Sequence, residues 1–415
     1  MRHGISGSEK DRRIRFLLLP GANSLSHLLK CLAIGKELKK GGHEFLVGIA
    51  SAYLVYLHEI GFRDFAVLPD IQETDGSALP TVEWFRRPGP IARAVKAEIA
   101  LIEEYRPDRV LGVFRFTARA SCRTTGVPYD SLVCGCMVPE CPDTLGFEEG
   151  EPGIDVQAQN LEGFYRYAGT KLGLATDDPR IDISTDVRSV LKGETTFLWD
   201  FPEFFPLPGD RSFVHVGPVL KGKWLAMEKE DEPGNLPEKV ALVTFGTCVG
   251  SPIAARRIIR ALHQMGFFVF LANGGQRGLA SIKESGNFAN GVVSLSQVLP
   301  KARLIVTHGG QMTVFEALSH QVPVLVMPFQ PEQAHSGVCL ERMGCGARLI
   351  PSRPFRGNGA VYLRALSEMT DSDIADRIES LLGSECLKAR LQHAGSIVDS
   401  YEGAKAVAWA LGKCR

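Results

Sequence analysis

Residues 304–350 combine a glycine turn with polar side chains in a pattern that suits a phosphorylated ligand. An apolar strand, 304–307, ends at the His-Gly-Gly tripeptide of 308–310, and a helix is predicted to begin near Gln311–Thr313. Glycines let the backbone approach a ligand closely, and the first turn of a helix offers free N–H groups at the positive end of its dipole. The pattern therefore predicts an anion site that suits a diphosphate. This turn contains no Lys, so it is not a P-loop.

Two further pairs of polar residues extend this site. Thr313 and Glu316 share one helix face, where a hydroxyl could bond a phosphate oxygen and a carboxylate could accept ribose hydroxyls. Glu332 and Gln333 follow the next strand and could hold the hydroxyls of a sugar. The first pair has a purely structural alternative, because a Thr and a Glu in the first turn also stabilise a helix start without any ligand.

The chain around these residues alternates between strands and helices. Strands are predicted at 14–19, 45–49, 109–114, 131–137, 240–245, 267–272, 304–307 and 322–327, and helices at 26–40, 92–105, 119–125, 252–264, 313–319 and 403–411. This alternation is typical of an α/β protein with doubly wound parallel sheets. Ligands of such sheets bind outside the carboxyl ends of the strands, so the site is expected in a cleft between domains.

The charged stretch 221–239, which is interrupted by Pro and Gly, is predicted to be a linker. It would separate an N-terminal domain over 14–220 from a C-terminal domain over 240–400. A last helix, within 401–415, is expected to pack back on the N-terminal domain. Residues 139–180 carry aromatic side chains among Gly, Pro and acidic residues, which favours an acceptor-binding loop or a lid.

Composition is that of an ordinary globular protein. The 415 residues include 47 Lys and Arg against 47 Asp and Glu, so no overall basic field points to nucleic acid or an acidic membrane as a partner. No apolar run approaches the ~18 residues of a transmembrane helix, and the scattered cysteines suit a reducing compartment, so a cytoplasmic location is expected. Cys134, Cys136 and Cys141 fit no zinc spacing and are expected to be buried thiols.

The motifs resemble those of the inverting GT-B glycosyltransferases, the group of the UDP-glucuronosyltransferases and the antibiotic, macrolide-type glycosyltransferases. The C-terminal signature of that family is matched in order by His308, Gly309, Gly310, Thr313, Glu316, Pro323, Pro328 and Gln333. Glu332 stands where the family usually has Asp, and Gln321 where it usually has Gly. The opening of the chain also matches, since a Gly-containing loop precedes His27 and the family's usual interval separates His27 from His43.

The resemblance implies a GT-B fold, two Rossmann-like domains facing across a cleft, and hexosyl transfer with inversion. The donor would be a UDP- or dTDP-sugar, and the acceptor a hydroxyl or other nucleophile of a small molecule, as in natural product biosynthesis. The implied site residues are His27 as general base, Gly246, Thr247, His308, Gly309, Gly310, Gln311 and Thr313 at the donor diphosphate, Glu316, Val293 and Gln297 at the ribose and base, and Glu332 and Gln333 at the sugar. No metal or other cofactor is expected, and a homodimer is one expected assembly.

One position departs from the family pattern. The family usually orients its His with an Asp on a later strand, but that position is Val113 here, whereas Asp108 matches an Asp at the start of the strand. Three possibilities follow: another carboxylate orients His27, His27 works without an orienting carboxylate, or activity is weak or lost. Arg115 and Arg119 are nearby and are expected to be solvated rather than to contact the acceptor.

Several other functions stay open beside transfer. A degenerate GT-B protein could bind a nucleotide-sugar without efficient transfer, and an epimerase could act on the nucleotide-sugar alone. For His27 taken by itself, a solvent-exposed residue at a helix start is the simpler interpretation. A dehydrogenase is not favoured, because the first strand is not followed by G-x-G-x-x-G.

Overall fold

The computed structural model describes residues 13–21, 24–69, 88–141, 187–207, 213–220, 235–246, 250–284, 287–291, 293–329, 331–350 and 360–413. The strands in these ranges are β1 (Arg15–Pro20), β2 (Glu44–Ala50), β3 (Phe65–Leu68), β4 (Arg109–Val113), β5 (Tyr129–Val133), β6 (Thr196–Leu198), β7 (Phe213–His215), β8 (Val240–Thr244), β9 (Phe268–Ala272), β10 (Phe288–Gly291), β11 (Ala302–Thr307), β12 (Val324–Val326) and β13 (Gly346–Arg348). The α-helices are α1 (Leu25–Lys40), α2 (Leu54–Glu59), α3 (Pro88–Tyr105), α4 (Ala118–Thr125), α5 (Pro252–Gln264), α6 (Arg277–Ala280), α7 (Leu295–Val298), α8 (Gln311–Ser319), α9 (Pro331–Met343), α10 (Ala360–Glu368), α11 (Asp371–Leu382), α12 (Leu387–Ser400) and α13 (Gly403–Lys413).

The strands form two sheets, one in each half of the chain. The order is β3-β2-β1-β4-β5-β6-β7 in the first sheet and β10-β9-β8-β11-β12-β13 in the second, with parallel pairing throughout. In both sheets the winding direction changes beside the first strand of that half, between β1 and β4 and between β8 and β11. Crevices at such switch points are where doubly wound sheets bind ligands.

The central strands are buried because helices cover both faces of each sheet. All five residues of β4, β5 and β8 are buried, and neither β4 nor β8 shows the alternating pattern of a half-buried strand. Arg109 and Asp130, the polar exceptions at the start of β4 and β5, form an ion pair of 2.7 Å. The sheets therefore provide rigid platforms whose strand ends position the loops.

The two halves meet through an aromatic segment that follows β6. Phe201 and Phe204 of this segment pack against Phe315 of α8, with ring centroids 5.4 and 5.0 Å apart. The chain then returns at its end, since α13 packs against α1 and the Gly403 N–H donates to the carbonyl of Pro218. The last helix thus lies on the first half, although most of the preceding chain belongs to the second.

Two sequence predictions need correction. The strand predicted over 131–137 ends at Val133, and Gly135–Met137 form a 3-10 turn, because the backbone N–H of Gly135 donates to the buried carboxylate of Asp200 instead of to a sheet neighbour. Arg115 and Arg119 are buried rather than solvated, since each guanidinium has hydrogen-bond acceptors in the interior.

The domain boundaries stay a prediction. Most of the predicted linker, 221–234, lies outside the described residues, and so do residues 142–180 of the predicted loop.

None of the helices in the described ranges combines the length and the apolar character that a membrane-spanning segment needs.

Candidate active site

A cavity of about 310 Å³ opens between the two halves, at the carboxyl ends of the central strands. One wall comes from the start of α1 and the end of β4, and the other from the turn between β11 and α8. His27 lies on the first wall, and His308, Gly309 and Gly310 lie on the second. The structure therefore brings the predicted base and the predicted diphosphate turn together, although they are far apart in the sequence.

His27 is held in place at the first turn of α1. Its side chain is 6% exposed, stacks on the ring of Phe114 at 5.1 Å, and has Nδ1 3.3 Å from the carbonyl oxygen of Gly21. A carbonyl oxygen only accepts hydrogen bonds, so this contact places the proton of the neutral ring on Nδ1 and leaves the lone pair on Nε2. Ser24 caps the helix by accepting from the backbone N–H of Ser26, which fixes where the helix begins.

Burial and, to a smaller extent, the positive charge of Lys30 together lower the pKa of His27 to about 3. His27 is therefore neutral at physiological pH and able to accept a proton, but holding a positive charge there is costly. The carbonyl of Gly21 works against this shift because it accepts a hydrogen bond from the ring.

The position of the usual orienting Asp is occupied by an apolar side chain. Val113 ends β4, fully buried, and pairs with Pro20 of β1. Asp108 has a different task, because its carboxylate accepts the backbone N–H of Arg15 at the start of the sheet. Among the described residues, the contact to Nδ1 of His27 comes from the backbone carbonyl of Gly21 rather than from a carboxylate.

A buried ion pair supports the loop that leads to His27. Arg115 is 2% exposed, donates from Nε to Glu98 at 2.7 Å, and donates from a terminal nitrogen to the carbonyl of Pro20 at 3.2 Å. The hydroxyls of Thr117 and Ser121 also donate to the Glu98 carboxylate. Arg115 is therefore a supporting residue, located beneath the end of β1.

The opposite wall is built from backbone that approaches closely. Gly309 has φ +93°, and a Cβ there would lie 2.6 Å from the carbonyl oxygen of Gln333. A Cβ on Gly310 or on Gly246 would meet the ring of His308 at 2.5 or 2.9 Å. A Cβ at any of these positions would force its neighbour to move, whereas the glycines leave the N–H groups at the start of α8 open to the cavity.

His308 and Thr313 add side-chain groups to this wall. The Nδ1 atom of His308 is 3.2 Å from the hydroxyl of Thr307, and burial lowers the pKa of His308 to about 4, so the ring is neutral at pH 7. Gln311, Thr313 and Val293 also line the cavity. Together with the helix dipole, these groups form a neutral, donor-rich site for an anion.

The residues predicted to bind the ribose and base of the donor do not all lie in the cavity wall. Glu316 lies one turn further along α8, where the backbone N–H of Ser296 bonds to its carboxylate and burial raises its pKa to about 7. Gln297 is exposed and does not line the cavity. Thr247 lies outside the described residues. Of the residues predicted at the ribose and base, only Val293 is among the described residues that line the cavity.

Glu332 and Gln333 differ although they are adjacent on α9. Glu332 lines the cavity, and burial raises its pKa to about 7. Gln333 also lines the cavity, but its side-chain oxygen accepts the backbone N–H of Phe329 at 2.9 Å and so holds the turn before α9. Of the two, Glu332 is the one better able to contact a sugar.

Sequence reasoning did not single out Lys30 and Trp199, which also line the cavity. Lys30 is only 4% exposed, and its ammonium lies 4.3 Å from the centre of the Trp199 ring. The indole N–H of Trp199 in turn donates to the side-chain oxygen of Gln311, across the cleft. The three-residue interval between His27 and Lys30 was the available signal, because it places both on one face of α1.

The three clustered cysteines, Cys134, Cys136 and Cys141, are buried, and the sulfurs of Cys134 and Cys136 are 3.5 Å apart. In the described ranges no group of three or more His, Cys, Asp or Glu is arranged to hold a metal ion.

The chain is similar to known glycosyltransferases. Residues 295–391 match the family model "UDP-glucoronosyl and UDP-glucosyl transferase". A "PGL/p-HBAD biosynthesis rhamnosyltransferase" of Mycobacterium bovis (strain BCG / Pasteur 1173P2) is 24% identical over 396 residues, which cover 88% of this chain and 86% of that protein. An "uncharacterized glycosyltransferase" of Methanosarcina acetivorans is 22% identical over 81% of this chain and 84% of its own.

Solved structures agree in fold over almost the whole chain. The glycotransferase of kitacinnamycin has a TM-score of 0.73 at 18% identity, and the alignment covers 97% of this chain and 99% of that one. The glycosyltransferase SsfS6 of Streptomyces sp. SF2575, complexed with thymidine diphosphate, has a TM-score of 0.67 at 17% identity. The alignment covers 97% of this chain and 100% of SsfS6. The predicted α/β fold of the GT-B type is confirmed.

The chain is a glycosyltransferase with the GT-B fold, similar to the group that includes the UDP-glucuronosyltransferases and the antibiotic glycosyltransferases.

Proposed function

We propose that the chain transfers a hexose from a UDP- or dTDP-sugar to a hydroxyl of a small-molecule acceptor, with inversion at the anomeric carbon and His27 as general base. The observation that carries this proposal is that His27 and the 308–313 turn lie on opposite walls of the same cavity. A donor whose diphosphate lies at that turn would present its sugar to the first wall.

The donor would be held mainly by backbone and neutral groups. We assign the diphosphate to the N–H groups at the start of α8, to Gly246, and to the side chains of His308 and Thr313. Glu316 would accept the ribose hydroxyls and Glu332 those of the sugar, with Gln333 supporting the turn. The thymidine diphosphate bound to the structural neighbour SsfS6 supports a dTDP-sugar among the donors to be tested. The proposal requires neither a metal nor another cofactor.

The chemical step follows from the tautomer of His27. The acceptor oxygen attacks the anomeric carbon from the face opposite the diphosphate, its proton passes to Nε2 of His27, and the bond from the anomeric carbon to the diphosphate oxygen breaks. The products are the inverted glycoside and the nucleoside diphosphate, whose negative charge is stabilised by the donors at the α8 turn. Gly21 keeps the Nδ1 proton in place throughout.

The low pKa of His27 couples this step to the donor. Burial and the charge of Lys30 both oppose a protonated ring. A diphosphate in the same cavity supplies negative charge nearby, which favours the protonated form and so makes proton acceptance easier. The base is thus expected to work best when the donor is already bound.

The test is acceptor-dependent release of nucleoside diphosphate from a panel of UDP- and dTDP-sugars, with phenols and other small alcohols as acceptors. His27→Ala should lower kcat/KM by about 10²–10⁴-fold, the range for loss of a general base. The control is His58→Ala, because His58 is exposed on α2 and outside the cavity.

Other outcomes would point to the other functions. An epimerised sugar nucleotide formed without an acceptor would indicate an epimerase. Thermal stabilisation by UDP or dTDP without turnover on any acceptor would favour a nucleotide-sugar-binding protein, the alternative that Val113 motivates. Equal turnover by wild type and His27→Ala would remove His27 from the mechanism.

A further inference from the structure

Lys30 is a buried cation for which the described residues provide no acidic partner. Its side chain is 4% exposed, and its ammonium donates to the hydroxyl of Ser26 at 3.4 Å and lies over the ring of Trp199 at 4.3 Å. No carboxylate in the described ranges lies within ion-pair distance of it. Charged side chains are seldom buried without a partner, because removing them from water is costly.

Burial lowers the pKa of Lys30 to about 8, a direction that agrees with a cation lacking its counter-charge. The same residue lines the cavity, and among the lining residues that the structure describes it is the one Lys or Arg. An anion entering this cavity would therefore meet Lys30 as its cationic contact.

The position of Lys30 relative to the second wall indicates which anion this is. The Trp199 ring that lies under the ammonium also donates its indole N–H to Gln311, the first residue of α8. Lys30 is therefore linked, through the indole ring and the Gln311 side chain, to the helix start where the donor diphosphate is assigned. In a cavity that excludes water, attraction between an ammonium and a diphosphate is stronger than in bulk water.

We propose that Lys30 is a diphosphate-binding residue, supplied from the acceptor half of the molecule to the leaving group of the donor. This inference rests on the proposed function and extends it. The ammonium of Lys30 would give the diphosphate a charged contact in addition to the neutral hydrogen-bond donors at the start of α8. It also links the two halves, because the anion would be held between Lys30 on α1 and the N–H groups of α8.

The experiment compares binding of UDP, dTDP, uridine and thymidine by titration calorimetry to wild type, Lys30→Met, Lys30→Arg and Lys36→Met. Lys36→Met is the matched control, because Lys36 is exposed on the same helix and outside the cavity. For the nucleotide that wild type binds, Lys30→Met should raise Kd by about tenfold or more, the usual effect of losing one charged hydrogen bond. Lys30→Arg should recover most of the affinity, and Lys36→Met should leave the Kd unchanged.

Binding of the nucleoside without phosphates gives the internal reference. Its affinity should be the same in wild type and Lys30→Met, because the contact is to the diphosphate. Lys30→Gln provides a second neutral variant should Lys30→Met fold poorly, and thermal unfolding of each unliganded variant identifies the folded ones.

One result would overturn the inference while leaving the proposed function intact, namely an unchanged Kd for nucleoside diphosphate in a folded, neutral Lys30 variant. A higher KM for the acceptor in that same variant would assign Lys30 to an anionic acceptor instead. If wild type binds no nucleoside diphosphate at all, the proposed function fails first and this inference with it.

Discussion

The two walls of the cleft hold their functional groups by different means. On the wall proposed to face the acceptor, called the acceptor wall, His27 and Lys30 are desolvated side chains beside a buried ion pair and aromatic neighbours. On the wall proposed to bind the donor, called the donor wall, the main elements are backbone N–H groups beside glycines whose replacement would bring a Cβ into close contact. Both walls stand at equivalent switch points of similar sheets, so the difference lies in how each is built rather than in where it lies.

This difference affects the electrostatics of each wall. Burial lowers the pKa of both His27 and Lys30, so the acceptor side pays a desolvation cost that an incoming anion would reduce. The donor side carries partial charges that are fixed in the backbone and do not titrate. We therefore expect the acceptor wall to respond to pH, salt and bound donor, and the donor wall to respond mainly to changes in backbone geometry.

The largest effect is expected from breaking the support of the acceptor wall. Arg115→Met removes the guanidinium that Glu98 contacts and leaves a fully buried carboxylate without its cation. Loss of one partner of a buried pair costs about 3–5 kcal/mol, so the free energy of unfolding in urea should fall by that amount. The matched control is Arg364→Met, which removes an exposed pair with Glu368 and should change stability by less than about 0.5 kcal/mol. A small effect of Arg115→Met would mean that the acceptor wall does not depend on this pair.

The second largest effect is expected from a change in the backbone geometry of the donor wall. Gly309→Ala adds a Cβ at φ +93° and within 2.6 Å of the carbonyl oxygen of Gln333. Such strain costs about 1–3 kcal/mol, so nucleoside diphosphate affinity is expected to fall by about 10- to 100-fold. Gly275→Ala is the control, since Gly275 also has a positive φ, +76°, but nothing lies within 4 Å of its Cβ position. Equal nucleotide affinity in the two variants would contradict the role given to the close approach at Gly309.

The smallest effect concerns one titrating group of the donor half, Glu316. Burial raises its pKa from 4.5 to about 7, so the folded protein holds this proton more tightly than the unfolded chain and loses stability as pH rises through that interval. Glu316→Gln removes this cost, so it should stabilise the protein at pH 8 by about 1–2 kcal/mol after screening and leave stability at pH 4 unchanged.

The same variant should bind nucleotide more weakly at pH 8, because an amide replaces the carboxylate proposed to accept the ribose hydroxyls. Thermal unfolding and calorimetry at the two pH values measure both effects. A variant that is more stable at pH 8 but binds equally well would leave Glu316 with a structural role only.

The donor wall could be predicted from the sequence because its chemistry is local. The glycines, Thr313 and the strand before them are neighbours in the chain, and each follows from a turn or helix rule that acts over a few residues. The alternating strands and helices gave the fold class for the same reason. Short strands such as β6 and β13 were missed, since three residues carry too little pattern to separate a strand from a loop.

The acceptor wall resisted prediction because it is assembled from distant parts of the chain. Lys30 became a candidate only when the structure placed Trp199 beneath it. Arg115 was expected in solvent because charged residues usually are exposed, and its acceptor Glu98 lies on another element. Val113 was recognised as a departure from the family pattern, but the carbonyl of Gly21 could be identified only from the folded backbone.

The return of α13 to the first half has a consequence for recombining this chain with its relatives. Because α13 packs on α1, the helix that carries His27 and Lys30, the acceptor half consists of two separate pieces of sequence. A chimera that takes residues 235–413 as one block from another glycosyltransferase would place a foreign helix against α1. A compatible exchange of donor specificity therefore needs two junctions, one between residues 220 and 235 and one between α12 and Gly403, so that the native α13 is retained.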